Sequence, residues 1–168
     1  MKLVQNTVPT PFTADRNPAH AALHLVPPAT SPAHLLDEAD DAEFIELLGR
    51  FRDSGGLANL AEVASIAATR GRPVPTAASI AARSLLAFAW QGTWWLPLFQ
   101  FNLADMSPKP GMHEVLGELS RVFDRVTLSR WFLQSNCSLR GRSPVQLIDV
   151  NPDDVVAAAR LDRFVAAG

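Results

Sequence analysis

The sequence predicts a mainly α-helical chain with one β-hairpin, and three observations carry that expectation. Apolar residues recur at three- and four-residue steps over 41–53, over 57–84 and from Gly111 onward, the spacing of amphipathic helices. An aromatic-rich run, LLAFAWQGTWWLPLFQFN at 85–102, is centred on Gln91-Gly92 and reads as two strands and a turn. Residues 1–32 hold Pro9, Pro11, Pro18, Pro27, Pro28 and Pro32, a density that blocks continuous helix or inner strand and predicts an extended arm.

Taken in order, DAEFIELLGRFRD at 41–53 places Phe44, Leu47, Leu48 and Phe51 on one stripe. Asp40 and Glu43 form a capping-box pair, Arg50 and Arg52 suit the negative helix end, and Gly55-Gly56 stops the helix. Next, Asn59 caps a segment whose Leu60, Val63, Ala64 and Ala67 share a face. RGRPVP interrupts it, and Thr76 caps a short second helix. Residues 85–90 are expected to pair with 93–101. Pro97, which has no N–H to give, makes the second strand an edge or breaks it there. Helix, turn, helix and hairpin together outline a winged-helix-like module over 55–101, after an arm and first helix at 1–54.

Beyond residue 101 the pattern is helical. Met112, Val115, Leu116, Leu119, Val122, Phe123 and Val126 recur at helical steps, and Leu128, Trp131 and Phe132 share a face in the next segment. Gly141 supplies a positive φ, Ser143 an N-cap, Pro144 a preset first turn and Gln146 the return bond of a capping box. Asn151 and Pro152 then open a final helix, with Asp153 and Asp154 in its first turn. Residues 102–168 thus read as a small helical domain.

Composition narrows the function. Apolar residues make up 48% and charged residues only 19%, a balance that suits a protein whose apolar surface is covered in a complex. No apolar run reaches the roughly 18 residues of a membrane span. The N-terminus lacks a secretory pattern and Cys137 is the single cysteine, so a reducing cytoplasm is expected. The net charge of −2 is uneven: 1–54 is acidic, while 55–100 carries Arg70, Arg72 and Arg83 against Glu62 alone. That mildly basic third permits DNA contact, with Thr76 and Ser79 as short polar side chains for base edges and Arg70, Arg72 and Arg83 for phosphates or guanine.

Catalytic patterns are missing: there is no G-x-S-x-G, H-E-x-x-H, phosphate-binding loop or dinucleotide fingerprint. Cys137 has no histidine near it in sequence and reads as a packing residue. His20 and His24 stand four apart, but Pro18 and the arm's composition argue against a metal-holding helix. Trp90, Trp94, Trp95 and Trp131 sit among apolar neighbours and are expected to pack rather than stack on bases. No enzyme, cofactor or metal is expected.

The stretch WFLQSNCSLRGRSPVQLI, followed by a final helix, resembles the C-terminal toxin-binding domain of Xre/MbcA/ParS-type bacterial antitoxins. The family pattern is a Trp-Leu pair, an Asn, a Leu, then Gly-Arg-Ser-Pro and a Leu-rich helix start. Trp131, Asn136, Leu139, Gly141, Arg142, Ser143, Pro144 and Leu147 match it, and Phe132, Ser135 and Arg140 depart from it. The resemblance covers about 95–168. It implies an antitoxin of a type II toxin–antitoxin system that occludes a RES-like, NAD-depleting toxin, with an N-terminal module that dimerises and binds its own operator. Arg142 and the exposed side of 152–168, including Arg160 and Arg163, are the expected toxin contacts. The expected assembly is a homodimer or a toxin–antitoxin hetero-oligomer. The alternative expectations are a DNA-binding transcriptional regulator without a toxin and, second, a general protein-interaction scaffold.

Overall fold

The structure, a computed structural model, describes residues 39–168. The Pro-rich arm and the His20/His24 pair lie outside the described residues. Among the described residues, the chain mixes seven helices with small antiparallel sheets. No helix among them is long and apolar enough to cross a membrane.

Helix α1 (Asp41–Phe51) carries the expected capping box. Glu43 N–H donates to Asp40 at 2.8 Å, and Asp40 N–H donates to Glu43 at 3.2 Å. It buries Phe44, Leu47 and Phe51, but Leu48, expected on the same stripe, stays 44% exposed. At about 100° per residue, Leu48 falls roughly 70° from the centre of the other three, beyond the narrow face that α1 buries. A 3-10 turn (Arg52–Ser54) follows, and Gly55 and Gly56 take φ of 104° and 82° to redirect the chain.

The three-residue strand β1 (Leu57–Asn59) was not legible as a strand. Its last residue also caps α2 (Leu60–Thr69), where Glu62 N–H donates to Asn59 at 2.9 Å. Helix α3 (Ala77–Ala81) is only five residues long. The hairpin turns at Gln91-Gly92, both at positive φ (47° and 70°), as a two-residue turn that matches strand twist requires. Strands β2 (Phe88–Trp90) and β3 (Thr93–Pro97) are shorter than expected.

The sheet order is β1-β3-β2, so β3 is the central strand, not an edge. Pro97 is the last residue of β3, opposite Leu57, and interrupts the strand there as expected. Buried Gln100 replaces ladder bonds that the shortened hairpin lacks. Its side chain accepts from Leu86 N–H at 2.9 Å and donates to the carbonyls of Leu86 (2.8 Å) and Pro97 (3.0 Å). A 3-10 turn (Leu98–Gln100) leads to a second small sheet, β4 (Phe101–Asn102) with β5 (Ser107–Pro108).

Side-chain alternation gives the sheet two dry faces. Ala87, Ala89, Trp94 and Leu96 pack with Val63, Ala67 and Ile80 of α2 and α3. Phe88, with Trp90 and Trp95 alongside, packs in the larger core with α1 and the C-terminal helices. Trp90 stacks on Phe44 at 3.9 Å between centroids and donates from its indole to Asp41 at 2.9 Å. The four tryptophans are thus packing residues, as expected.

The helical run after Gly111 is two helices, not one. Helix α4 (Met112–Leu119) ends at Ser120, and α5 (Arg125–Leu133) starts afresh under Asp124, which accepts from Thr127 N–H at 2.6 Å. Val122 and Phe123 fall in the turn, half-buried against the larger core. A 3-10 turn (Cys137–Leu139) precedes α6 (Pro144–Leu147) and α7 (Pro152–Ala167). Asn151 stands at the cap position of α7, yet no cap bond forms; its amide donates to Asp154 at 3.3 Å.

Candidate partner-binding surface

The segment between α5 and α6 is a closed loop. Asn136 N–H donates to the Arg142 carbonyl at 2.9 Å, and Gly141 N–H donates back to the Asn136 carbonyl at 2.9 Å. Asn136 Oδ1 also accepts from Ser138 N–H at 2.9 Å. The return needs two consecutive left-handed residues, Arg140 (φ 58°) and Gly141 (φ 78°). Gly141 was expected there and Arg140 was not. The loop then enters α6 through Ser143, whose N–H donates to Gln146 Oε1 at 3.1 Å, with Pro144 at the first helical position.

One carboxylate fastens this loop to α7. Asp162 Oδ2 accepts from the indole N–H of Trp131 at 2.7 Å and from Asn136 Nδ2 at 2.7 Å. Both distances are those of charge-assisted bonds. Trp131 is buried and stands edge-on to Phe132 at 5.1 Å. Leu139, Pro144 and Leu147 are buried as well. Most motif positions therefore build the platform, whereas Gly141 and Arg142 are exposed on it. Arg142 reaches the Gln146 carbonyl at 3.4 Å, a long contact on its own helix start. Asp162 escaped the sequence reading. The available signal was that it is the lone acid of the last helix beyond the first turn, in a chain whose motif Trp and Asn each need an acceptor.

The arginines of α7 are engaged within the chain. Arg160 Nε lies 3.3 Å and Arg163 Nε 3.0 Å from the two carboxylate oxygens of Glu118 on α4. The Arg163 contact is an ion pair by distance, but its N–H direction is too poor for a hydrogen bond. The same end of α7 exposes Leu161, Phe164 and Val165, with Phe164 74% accessible. Their spacing of three and four residues makes them one apolar stripe.

A second network joins α5 to α1. Arg130 bridges Glu43 at 3.1 Å and Glu46 at 2.9 Å, and Arg50 meets Glu46 at 3.1 Å. The Arg130 guanidinium, then Arg50, holds the Glu46 carboxyl below its usual range. Sequence spacing gives the Glu46–Arg50 pair, four apart on one helix, but not Arg130, which arrives from 84 residues away.

The DNA candidates divide into two groups. Arg70 donates to the Leu103 carbonyl, and Arg72 pairs with Asp105. Asp105 also accepts from Ser107 N–H (3.0 Å) and Oγ (2.6 Å), which with Arg72 lowers its pKa. Thr76 and Ser79 cap each other across α3. Arg83, just beyond α3, stands exposed at φ 55°, and its side chain makes no hydrogen bond or ion pair among the described residues. It lines a cleft with Arg121 and Arg125. Cys137 is exposed, and no group of three His, Cys, Asp or Glu suited to a metal occurs among the described residues. No protein-family model, curated protein or solved structure matches the chain.

Proposed function

We propose that the chain is the antitoxin of a type II toxin–antitoxin pair. It neutralises a RES-like, NAD-depleting toxin by covering the toxin's active-site entrance, and it works beside that toxin in the cytoplasm. The observation that carries this reading is the Asp162 clasp on Trp131 and Asn136. It makes the motif that resembles the antitoxin family a single stiff unit with the final helix. Such a unit meets a partner with little ordering cost. Arg142 and the stripe of Leu161, Phe164 and Val165 face solvent on it and are its contact groups.

The middle module binds the operon's own DNA. The order helix, strand, helix, helix, hairpin, with sheet order β1-β3-β2, supports a winged-helix reading. The same feature supports the second reading, a DNA-binding regulator without a toxin.

Co-purification from the native host tests the first reading. A stoichiometric partner that arrests growth when expressed alone is expected. Arg142→Glu, on an exposed side chain, is expected to lose that partner while melting like the parent. Recovery of the chain in high yield with no partner, together with salt-dependent DNA binding, would establish the regulator instead.

A further inference from the structure

We infer that the cleft between the end of α3 and the α4–α5 turn is a phosphate-diester site, through which one DNA backbone touches both halves of the chain. The inference rests on the DNA-binding reading of the middle module and names its phosphate contacts. The cleft has a volume of about 300 Å³ and is lined by Arg83 from one half and by Arg121 and Arg125 from the other. Its apolar floor includes Leu85, Leu86 and Leu116.

The cleft is built, not incidental. Arg125 donates to the carbonyls of Ile80 (2.9 Å) and Ala87 (3.4 Å) and lies over the Trp94 ring at 5.2 Å. It thereby locks the end of α3, the approach to β2 and the start of α5 together. Arg83 and Arg121 stand exposed at the rim, and neither side chain makes a hydrogen bond or ion pair among the described residues. Among the described residues, Asp124 is the one carboxylate lining the cleft, and its oxygens are already engaged by Thr127 N–H (2.6 Å) and Oγ1 (3.0 Å). Arg83 also holds a left-handed backbone that a side chain rarely adopts, fixed by its N–H bond to the Ile80 carbonyl at 3.0 Å.

Position favours a phosphate backbone over an acidic protein face. Arg83 comes two residues after α3, so a duplex laid along α3 passes its strand over the cleft. Planar guanidinium forks match phosphate oxygens. Arg70 and Arg72, by contrast, are tied to the Leu103 carbonyl and to Asp105, which moves the available positive charge towards Arg83 and Arg121.

The test uses the full chain and fluorescein-labelled duplexes, one from upstream of its own gene and one unrelated of equal length. Anisotropy is read across a potassium chloride series. Arg121→Glu and Arg83→Glu are each expected to flatten the slope of log affinity against log salt by about 0.9, and to weaken both duplexes alike. Arg121 is exposed in a turn, so its variant carries the test even if Arg83→Glu melts early. If Ala78→Glu on the exposed side of α3 abolishes binding while Arg121→Glu leaves the slope unchanged, the DNA reading stands and the two-half site is overturned. If the parent binds neither duplex, both fall. If Arg121→Glu spares DNA but loses the co-purifying toxin, the cleft serves an acidic protein surface and the phosphate assignment is wrong.

Discussion

Replacing Asp162 by alanine should unfasten α7 from the motif loop. The substitution removes one carboxylate oxygen that takes two N–H donors at 2.7 Å. Trp131 is 8% exposed, so its indole N–H has little access to water once the acceptor is gone. Leaving a buried donor unpaired costs about 1–3 kcal/mol. Asn136 is only half-buried and recovers part of its loss from solvent. The expected total is about 3 kcal/mol, most of it from Trp131. For a chain of this length, that lowers Tm by roughly 10 °C. Circular dichroism melts measure it directly. Asp162→Asn is the control, because its amide oxygen still accepts and should recover about half of the loss. Trp131→Phe removes the donor from the other side, so the double variant should lose less than the two single losses added, by about 1 kcal/mol or more. A drop of under about 2 °C for Asp162→Ala, or strict additivity with Trp131→Phe, would refute the clasp as the element that stiffens the site.

Other outcomes follow from the same geometry. Glu46 titrates below its ordinary 4.5 because Arg130, then Arg50, favours its charged form. A depressed carboxyl contributes stability that is complete above its unfolded value and is lost as pH falls through the folded one. Arg130→Met should therefore flatten the decline of urea-melt stability below pH 4.5, while an unchanged acid limb would exclude the bridge as its source. Gly141→Ala meets no atom within 4 Å of the new Cβ, so only the strain of φ 78° acts, and chemical denaturation should show a loss of about 1 kcal/mol. Arg140→Gly, at φ 58°, should be neutral or slightly stabilising in the same assay. Gln100→Leu strands the Leu86 N–H and carbonyl in the core and should cost about 3 kcal/mol in thermal melts; a near-neutral result would mean that the hairpin finds other partners.

Helix caps and turn residues were readable because their physics is local. Asp40 with Glu43 and Asn59 with Glu62 each act across three residues and form reciprocal bonds, and Thr76 caps its helix as expected, with Ser79 returning the bond. Gln91-Gly92 is equally local and turns the hairpin where the pattern put it. Strand β1 was not readable, because three residues of Leu-Ala-Asn carry no period and become a strand only by pairing with β3. The central position of β3 depends on that pairing, whereas its end at Pro97 was legible from the proline alone. The α4–α5 break was hidden because Val122 and Phe123 continue the apolar spacing through a turn, and the cap at Asp124 has no apolar signature. Asp162, Glu118 and Arg130 gain their roles from partners 26 to 87 residues away, which no local spacing encodes.

The same division bears on how much a motif match says about partners. Trp131, Leu139, Ser143, Pro144 and Leu147 are buried, and Asn136 is turned inward to Ser138 N–H and Asp162. A partner meets surface, so these residues report the shape of the loop rather than who docks on it. Arg142 is the exposed charged member, and Leu161, Phe164 and Val165 lie outside the matched pattern altogether. Under the antitoxin reading, selectivity between toxins resides in those side chains. Exchanging 161, 164 and 165 for polar residues should then redirect or abolish toxin capture without moving the melt, since all three are at least half exposed. Loss of folding in that variant would instead make the stripe part of a helix-stabilising contact, and the surface would have to be sought on the loop alone.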